Sequence, residues 1–376
     1  MSFIRSKNVL MVTTAIVLSV VLLGCTASVP LGLPALRQAA NAPKVFDNAD
    51  SAVLVVGTDT YLFGSSNNKH LPVRRITSFS TPLADSQTNW AQNPTDAMPT
   101  WPAWIDPGER EIWAPSVLKI GTRYYVYFAG HNKAATTDEA NDQCIGRAVS
   151  NVPAGPYAPE ALPLYCGLAP EGAGQGLPAS NRFGRGTLDP EVFRSADGRY
   201  YMVVALSRTR DNIGVVGLRQ DGTMMGTLNA TPKILASQSL PWHDGTDDAT
   251  RGNSFLENPS MIYEPATRTY LLFYSAGAWY TDRYLTGFAR CGSPIGPCTL
   301  DTRGPFLKGG SGRTGAGGLT VFKAANGTLK VAYASWQAGR ENDQTGAVGE
   351  YKRQTHWASL LLSAGTNPAT QTVVLR

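Results

Sequence analysis

Residues 257–277 read ENPSMIYEPATRTYLLFYSAG. An acid opens the segment, an apolar run MIY follows, EPAT supplies turn residues, and TYLLFYSA is a second run dense in aromatic and aliphatic side chains. That pattern predicts a β-hairpin. Four other segments share the template: DSAVLVVGTDTYLFGS from Asp50, APSVLKIGTRYYVYFAG from Ala114, DPEVFRSADGRYYMVVA from Asp189 and GGLTVFKAANGTLKVAYASW from Gly317. Further strand-like runs trail the hairpins, NIGVVGL at 212–218 and LTGFARC at 285–291 among them. About four short strands in each ~60-residue repeat is the pattern of a propeller blade carrying inserted loops. The expected fold is all-β, a five-bladed β-propeller over residues 45–376. In a β-sandwich or jelly roll the fivefold repeat would be a coincidence, and the repeats of a parallel β-helix are much shorter.

The composition agrees. With 38 Gly and 25 Pro in 376 residues, the chain is too rich in turn formers for a coiled coil or helical array, and 15 Tyr, 12 Phe and 8 Trp exclude a disordered one. Residues 1–25, MSFIRSKNVLMVTTAIVLSVVLLGC, combine basic Arg5 and Lys7, an uncharged apolar stretch and a small residue before Cys25, which predicts an export signal. The LLGC ending resembles a bacterial lipobox. That implies a lipoprotein signal peptide at 1–24, lipidation of Cys25, a small-residue and Pro-containing tether at 25–44, and a cell-surface lipoprotein held to a bacterial membrane by its lipid alone. An ordinary cleaved signal and an uncleaved anchor helix are the alternatives. Losing residues 1–24 removes two cations and no acids, so the formal charge falls from +5 to +3. The remaining Lys and Arg are scattered, which argues against nucleic acid as a partner. A monomer is expected.

Four cysteines remain beyond Cys25, an even number suited to an oxidising compartment. Sequence proximity favours pairing Cys144 with Cys166 and Cys291 with Cys298. A zinc site competes poorly, since CxxC spacing is absent and His70, His131, His243 and His356 are isolated.

In a propeller the innermost strand of each blade borders the axis, so matching positions of the repeats converge there. The first template position holds Asp50, Ala114, Asp189, Glu257 and Gly317. Acids crowded on an axis repel one another and lose hydration, so three of them beside two small residues suggest chemistry. Glycosidic hydrolysis uses such a set: one carboxylic acid protonates the leaving oxygen and an opposed carboxylate activates water or attacks the sugar. A third acid can raise the donor's pKa. Calcium binding by the same acids is the alternative, disfavoured by the lack of a DxDxDG-type loop.

These segments, with IGRAVSNVPAGPY at 145–157 and GFARCGSPIGPC at 287–298, resemble the blade motifs of glycoside hydrolase family 43, the five-bladed arabinanases, arabinofuranosidases and xylosidases. The resemblance covers about residues 45–325. It implies an inverting glycosidase, with Asp50 at the general-base position, Asp189 at that of the pKa modulator and Glu257 at that of the general acid. It implies a polysaccharide or oligosaccharide substrate containing pentose, first among them α-L-arabinofuranose, and no required cofactor. Three features depart from the pattern. Asp50 is followed by Ser-Ala rather than Pro-Ser in a hairpin one residue longer, which makes Asp47 a second candidate base. Glu257 is followed by Asn258 where Ala or Gly is common. The last blade's GSGRTGAGG lacks an axial His, so a structural calcium ion on the axis is not indicated.

Aromatic rings stack on the C–H faces of sugars, which makes Trp113, Trp279 and Tyr280 candidate substrate contacts, with Trp242 and Trp336 as further rings divided between that role and packing. Arg313, Arg251 and His243 lie in Gly- and Asp-rich loops and could bind hydroxyls or pair with Asp247 and Asp248. The competing functions are a carbohydrate-binding propeller without catalysis, a β-xylosidase-type enzyme, and a fructan-cleaving enzyme, for which the NDPNG motif is missing.

Overall fold

The computed structural model of the protein describes residues 48–66, 69–79, 95–108, 110–133, 143–166, 186–206, 212–225, 232–243, 255–341 and 353–376. Cys25, Asp47, Asp247, Asp248 and Arg251 lie outside the described residues, as do the expected signal and tether. Pro43–Arg376 form one compact unit.

Five antiparallel sheets follow one another along the chain. The first holds β1 (Ala52–Val56), β2 (Asp59–Phe63), β3 (Pro72–Ile76) and β4 (Thr95–Asp96). The second holds β5 (Trp113–Ile120), β6 (Arg123–His131), β7 (Gln143–Ser150) and β8 (Ala158–Pro159), with β9 (Tyr165–Cys166) also paired to β7. The third runs β10 (Thr187–Arg194), β11 (Tyr200–Leu206), β12 (Asn212–Leu218), β13 (Lys233–Ser237). The fourth runs β14 (Leu256–Glu264), β15 (Thr269–Ala276), β16 (Leu285–Cys291), β17 (Cys298–Leu300), and the fifth β18 (Arg313–Lys323), β19 (Leu329–Gln337), β20 (Gln354–Leu362), β21 (Val373–Leu375). Each sheet is a blade that meanders outward from its first strand. The first strands touch in the cycle β1, β5, β10, β14, β18 and back to β1, which closes the propeller. At the closure the Asn48 N–H donates to the Arg353 carbonyl (3.3 Å), and the Thr355 hydroxyl donates to the Asn48 carbonyl (3.0 Å).

Both faces of a blade are covered, so the second strands are apolar through most of their length, odd residues going to one junction and even to the other. Tyr270, Leu272 and Tyr274 pack against the third blade, while Leu271 and Phe273 pack against the fifth. Each of the five blade junctions carries one hydrophobic cluster among the described residues. Cys144–Cys166 joins β7 to β9 and Cys291–Cys298 joins β16 to β17, the pairing expected from the sequence.

The repeat register differs from the sequence alignment by one residue in two blades. Asp50, Ala114, Asp189, Asn258 and Gly318 all have left-handed backbones, with φ of 51°, 45°, 52°, 48° and 60°. In blades two to five the pairing to the second strand slips at this point, between Trp113 and Ser116, Leu188 and Glu191, Glu257 and Ser260, and Gly317 and Thr320. The equivalent of Asp50 and Asp189 in the fourth blade is therefore Asn258, not Glu257, and in the fifth it is Gly318, not Gly317. Matching acid to acid misled the alignment. The prolines Pro115, Pro190 and Pro259, each one residue after the left-handed position, carry the true register.

Candidate active site

In blades two to five the left-handed residue sits in a one-residue bulge, and Asp50, Asp189 and Asn258 face the cavity from the left-handed positions of their blades. Glu257 reaches the same place from the preceding position, shared by Ala49, Trp113 and Leu188. A cavity of about 490 Å³ opens over them, and its lining includes Asp50, Asp189, Glu257, Asn258 and Arg353. Asp189 and Glu257 are buried, at 4% and 7% exposure.

The three acids share partners. Asp50 Oδ2 accepts from the Ser65 hydroxyl (2.9 Å), and its Oδ1 accepts from Arg353 Nη1 (3.4 Å) and Asn258 Nδ2 (3.2 Å). Asp189 Oδ2 accepts from the Asn258 backbone N–H (3.0 Å). Glu257 Oε1 accepts from the Tyr284 hydroxyl (2.8 Å), whose oxygen accepts in turn from Asn258 Nδ2 (2.9 Å). Burial, then the charges of Glu257 and Asp50, push the Asp189 carboxyl well above the usual range, although the Asn258 N–H and the Arg353 cation pull it down. The crowded carboxylates thus favour keeping a proton among them. Burial, with the Glu257 charge, also raises the Tyr284 hydroxyl, so it stays protonated and able to donate.

Of the expected sugar contacts, Trp113 and Trp279 line the cavity, and so does Trp336, whose Nε1–H holds the Trp279 carbonyl (2.9 Å). Trp113 packs against His131, a further lining residue (ring centroids 4.9 Å apart). Tyr280 and Arg313 are not in the lining. Tyr280 stands edge-on to Trp279, and Arg313 lies half-buried near Tyr333 and His356. Trp242 stacks on Tyr274. His243 is structural: its Nδ1 accepts the Ser239 and Leu240 N–H groups (3.2 and 3.3 Å), Nε2 faces the Tyr274 hydroxyl (3.0 Å), and burial brings its pKa down to about 4. Sequence reasoning missed Tyr284 and Arg353, which come from outside the hairpin template. It noted Asn258 only as a departure.

A model of the glycosyl hydrolases family 43 matches residues 43–357. This chain belongs to that family. Among curated proteins, the family 43 chain is 28% identical to an extracellular endo-α-(1→5)-L-arabinanase of Thermotoga petrophila over 66% of its own length and 50% of the relative's. It is 28% identical to extracellular endo-α-(1→5)-L-arabinanase 2 of Bacillus subtilis over 53% of its length and 39% of the relative's. The chain thus spans half or less of the curated relatives it matches. Among solved structures, a thermostable family-43 glycoside hydrolase superposes with a TM-score of 0.65 at 19% identity, covering 90% of this chain and 95% of the other. That likeness establishes the five-bladed propeller.

Proposed function

We propose that the chain is an inverting glycosidase acting on α-linked L-arabinofuranose, as an arabinofuranosidase or an endo-arabinanase. The observation that carries this reading is the convergence of Asp50, Asp189 and Glu257 on one cavity, tied together through Asn258. Two relatives named endo-arabinanases support the sugar. Trp113 and Trp279 in the cavity wall supply faces for a sugar ring.

Asp50 is the base. Ser65, Asn258 and Arg353 hold its two oxygens and leave room on Oδ2 for one more donor, a water. That water gives its proton to Asp50 as it attacks the anomeric carbon. Glu257 is the acid and transfers its proton to the leaving oxygen on the opposite face of the sugar. Asp189 shares with Glu257 the proton that the crowded acids retain, is the charged member when Glu257 holds it, and touches neither proton in flight. Its role is to keep Glu257 protonated through charge and to orient it through Asn258.

Release of arabinose or arabino-oligosaccharides from linear arabinan and from aryl arabinofuranosides tests the assignment. Asp50→Asn and Glu257→Gln are each expected to lower kcat on arabinan by roughly 10²- to 10⁴-fold, with circular dichroism unchanged. Full activity in either variant removes that residue from its role. Sugar binding by calorimetry with no product after long incubation would instead identify a non-catalytic binding propeller. NMR of the first-formed anomer distinguishes inversion from retention.

Export belongs to the same proposal. It is supported by the signal-like residues 1–24 and by relatives named extracellular. Lipidation of Cys25 would hold the enzyme at a membrane surface, and globomycin-sensitive processing with fatty-acid labelling lost in Cys25→Ala is the check.

A further inference from the structure

Asn258 occupies a left-handed position where the equivalent residue in the fifth blade is a glycine. Asparagine tolerates that backbone better than most residues, but conformation alone leaves its side chain unexplained. The amide nitrogen spends one hydrogen on Asp50, a residue of the non-adjacent first blade, and the other on the Tyr284 oxygen. Tyr284, fully buried, passes its own hydrogen to Glu257. The phenol ring is itself held: the Arg353 guanidinium lies 5.0 Å from its centroid, and Gly317 leaves the space that a Cβ would take from it.

Resting on the inverting reading above, the charge balance of one turnover shows what this chain of bonds is for. Before reaction Asp50 is the carboxylate and Glu257 carries the proton. Water's proton goes to Asp50, its oxygen bonds to the anomeric carbon, the glycosidic bond breaks, and Glu257's proton goes to the leaving oxygen. One negative charge has moved from Asp50 to Glu257. Asn258 donates toward the first site of that charge directly and toward the second through Tyr284, and a hydrogen bond donated to the phenol oxygen strengthens the bond the phenol donates.

We propose that Asn258 and Tyr284 are a positioning pair that links the base to the acid and stabilises the migrating charge at both ends. Neither residue touches the bond being broken.

The test compares the unaltered protein with Asn258→Gly and Tyr284→Phe, measuring kcat and KM against pH on phenyl α-L-arabinofuranoside. Glycine suits the backbone at 258 and phenylalanine keeps the ring of 284, so both variants retain the fold. The charged groups facing the pair, Asp50, Asp189, Glu257 and Arg353, stay in place, as do Glu111 and His131 in the cavity wall. A lost donor disfavours a carboxylate. In Tyr284→Phe the alkaline limb, set by Glu257, moves to higher pH while the acid limb stays. In Asn258→Gly both limbs move up. In each variant kcat falls about tenfold or more with KM nearly unchanged. An active enzyme whose limbs stay fixed in both variants overturns the pair's role and leaves the glycosidase assignment standing. Carbon NMR titration of the Glu257 carboxyl, assigned by its loss in Glu257→Gln, needs no substrate. An upward move in both variants supports the link, and no move overturns it even if the unaltered protein hydrolyses nothing, an outcome that would refute the glycosidase assignment separately.

Discussion

Glu257 and Asn258 are adjacent in the chain, yet one offers an acid to the cavity and the other gathers all three acids around itself. Its neighbour's acidic character made Glu257 conspicuous, whereas Asn258 looked like a substitution for a small residue. The acids were legible because a carboxylate near an axis is costly and needs a reason. Asn258, Tyr284 and Arg353 were not, because an amide, a phenol and a guanidinium occur throughout any surface and only three-dimensional proximity distinguishes them. The Glu257 assignment makes a prediction about the leaving group. A dinitrophenolate departs without a proton, so Glu257→Gln should cost less than about tenfold on dinitrophenyl α-L-arabinofuranoside while losing roughly 10²- to 10⁴-fold on arabinan. Asp50→Asn should lose activity on both, because water needs its base whatever leaves. Equal losses in the two variants on both substrates would argue against separate roles.

At the scale of the element, the first strand of blades two to five is a short strand, a left-handed residue and a resumed strand. The bulge decouples two neighbouring side chains, so that Glu257 and Asn258 can both reach the site although strand alternation would send them to opposite faces. Hairpins and turns were readable from composition, since Gly57 and Gly121 head two-residue turns of the same length in the first two blades. The bulge was written in the prolines. In the fifth blade Gly317 and Gly318 replace side chains that would crowd Tyr284 and Arg353: a Cβ at 317 would overlap the Tyr284 ring, and one at 318 would lie 3.2 Å from both Arg353 Nη2 and Asp50 Oδ1. Gly317→Ala is therefore expected to destabilise the protein by about 1–3 kcal/mol and to lower kcat by displacing the phenol from Glu257. Urea denaturation and arabinan hydrolysis read the two effects, and a variant with unaltered stability and rate would show that the packing around Tyr284 is looser than described.

Across the whole molecule, five apolar junctions hold the blades together, and the strands that build them were legible because covering both faces of a sheet favours nearly continuous apolar runs. What the pattern did not disclose is a polar group placed among the innermost strands. Glu191 of β10 is half-buried between Ser116 of β5 and Ser260 of β14, within 3.4 Å of the Ser260 hydroxyl. Loss of hydration pushes its carboxyl up to about 8, against the hydrogen bonds from the two serines, which lower it. The sign of the linkage follows. The folded protein binds this proton more tightly than the unfolded chain, whose carboxyl has a pKa of 4.5, so the contribution to stability is complete below 4.5 and is lost as pH rises to about 8. Glu191→Gln is neutral at every pH and keeps the side-chain length. Its Tm should match that of the unaltered protein in acid and exceed it by a few °C, in order of magnitude, once the carboxyl of Glu191 must ionise. Calorimetric Tm values across that range decide the matter: curves that coincide at every pH would place the charge of Glu191 in water, and curves that part progressively above about pH 4.5 and stay a constant distance apart above about 8 would locate an ionisable group among the innermost strands of the propeller.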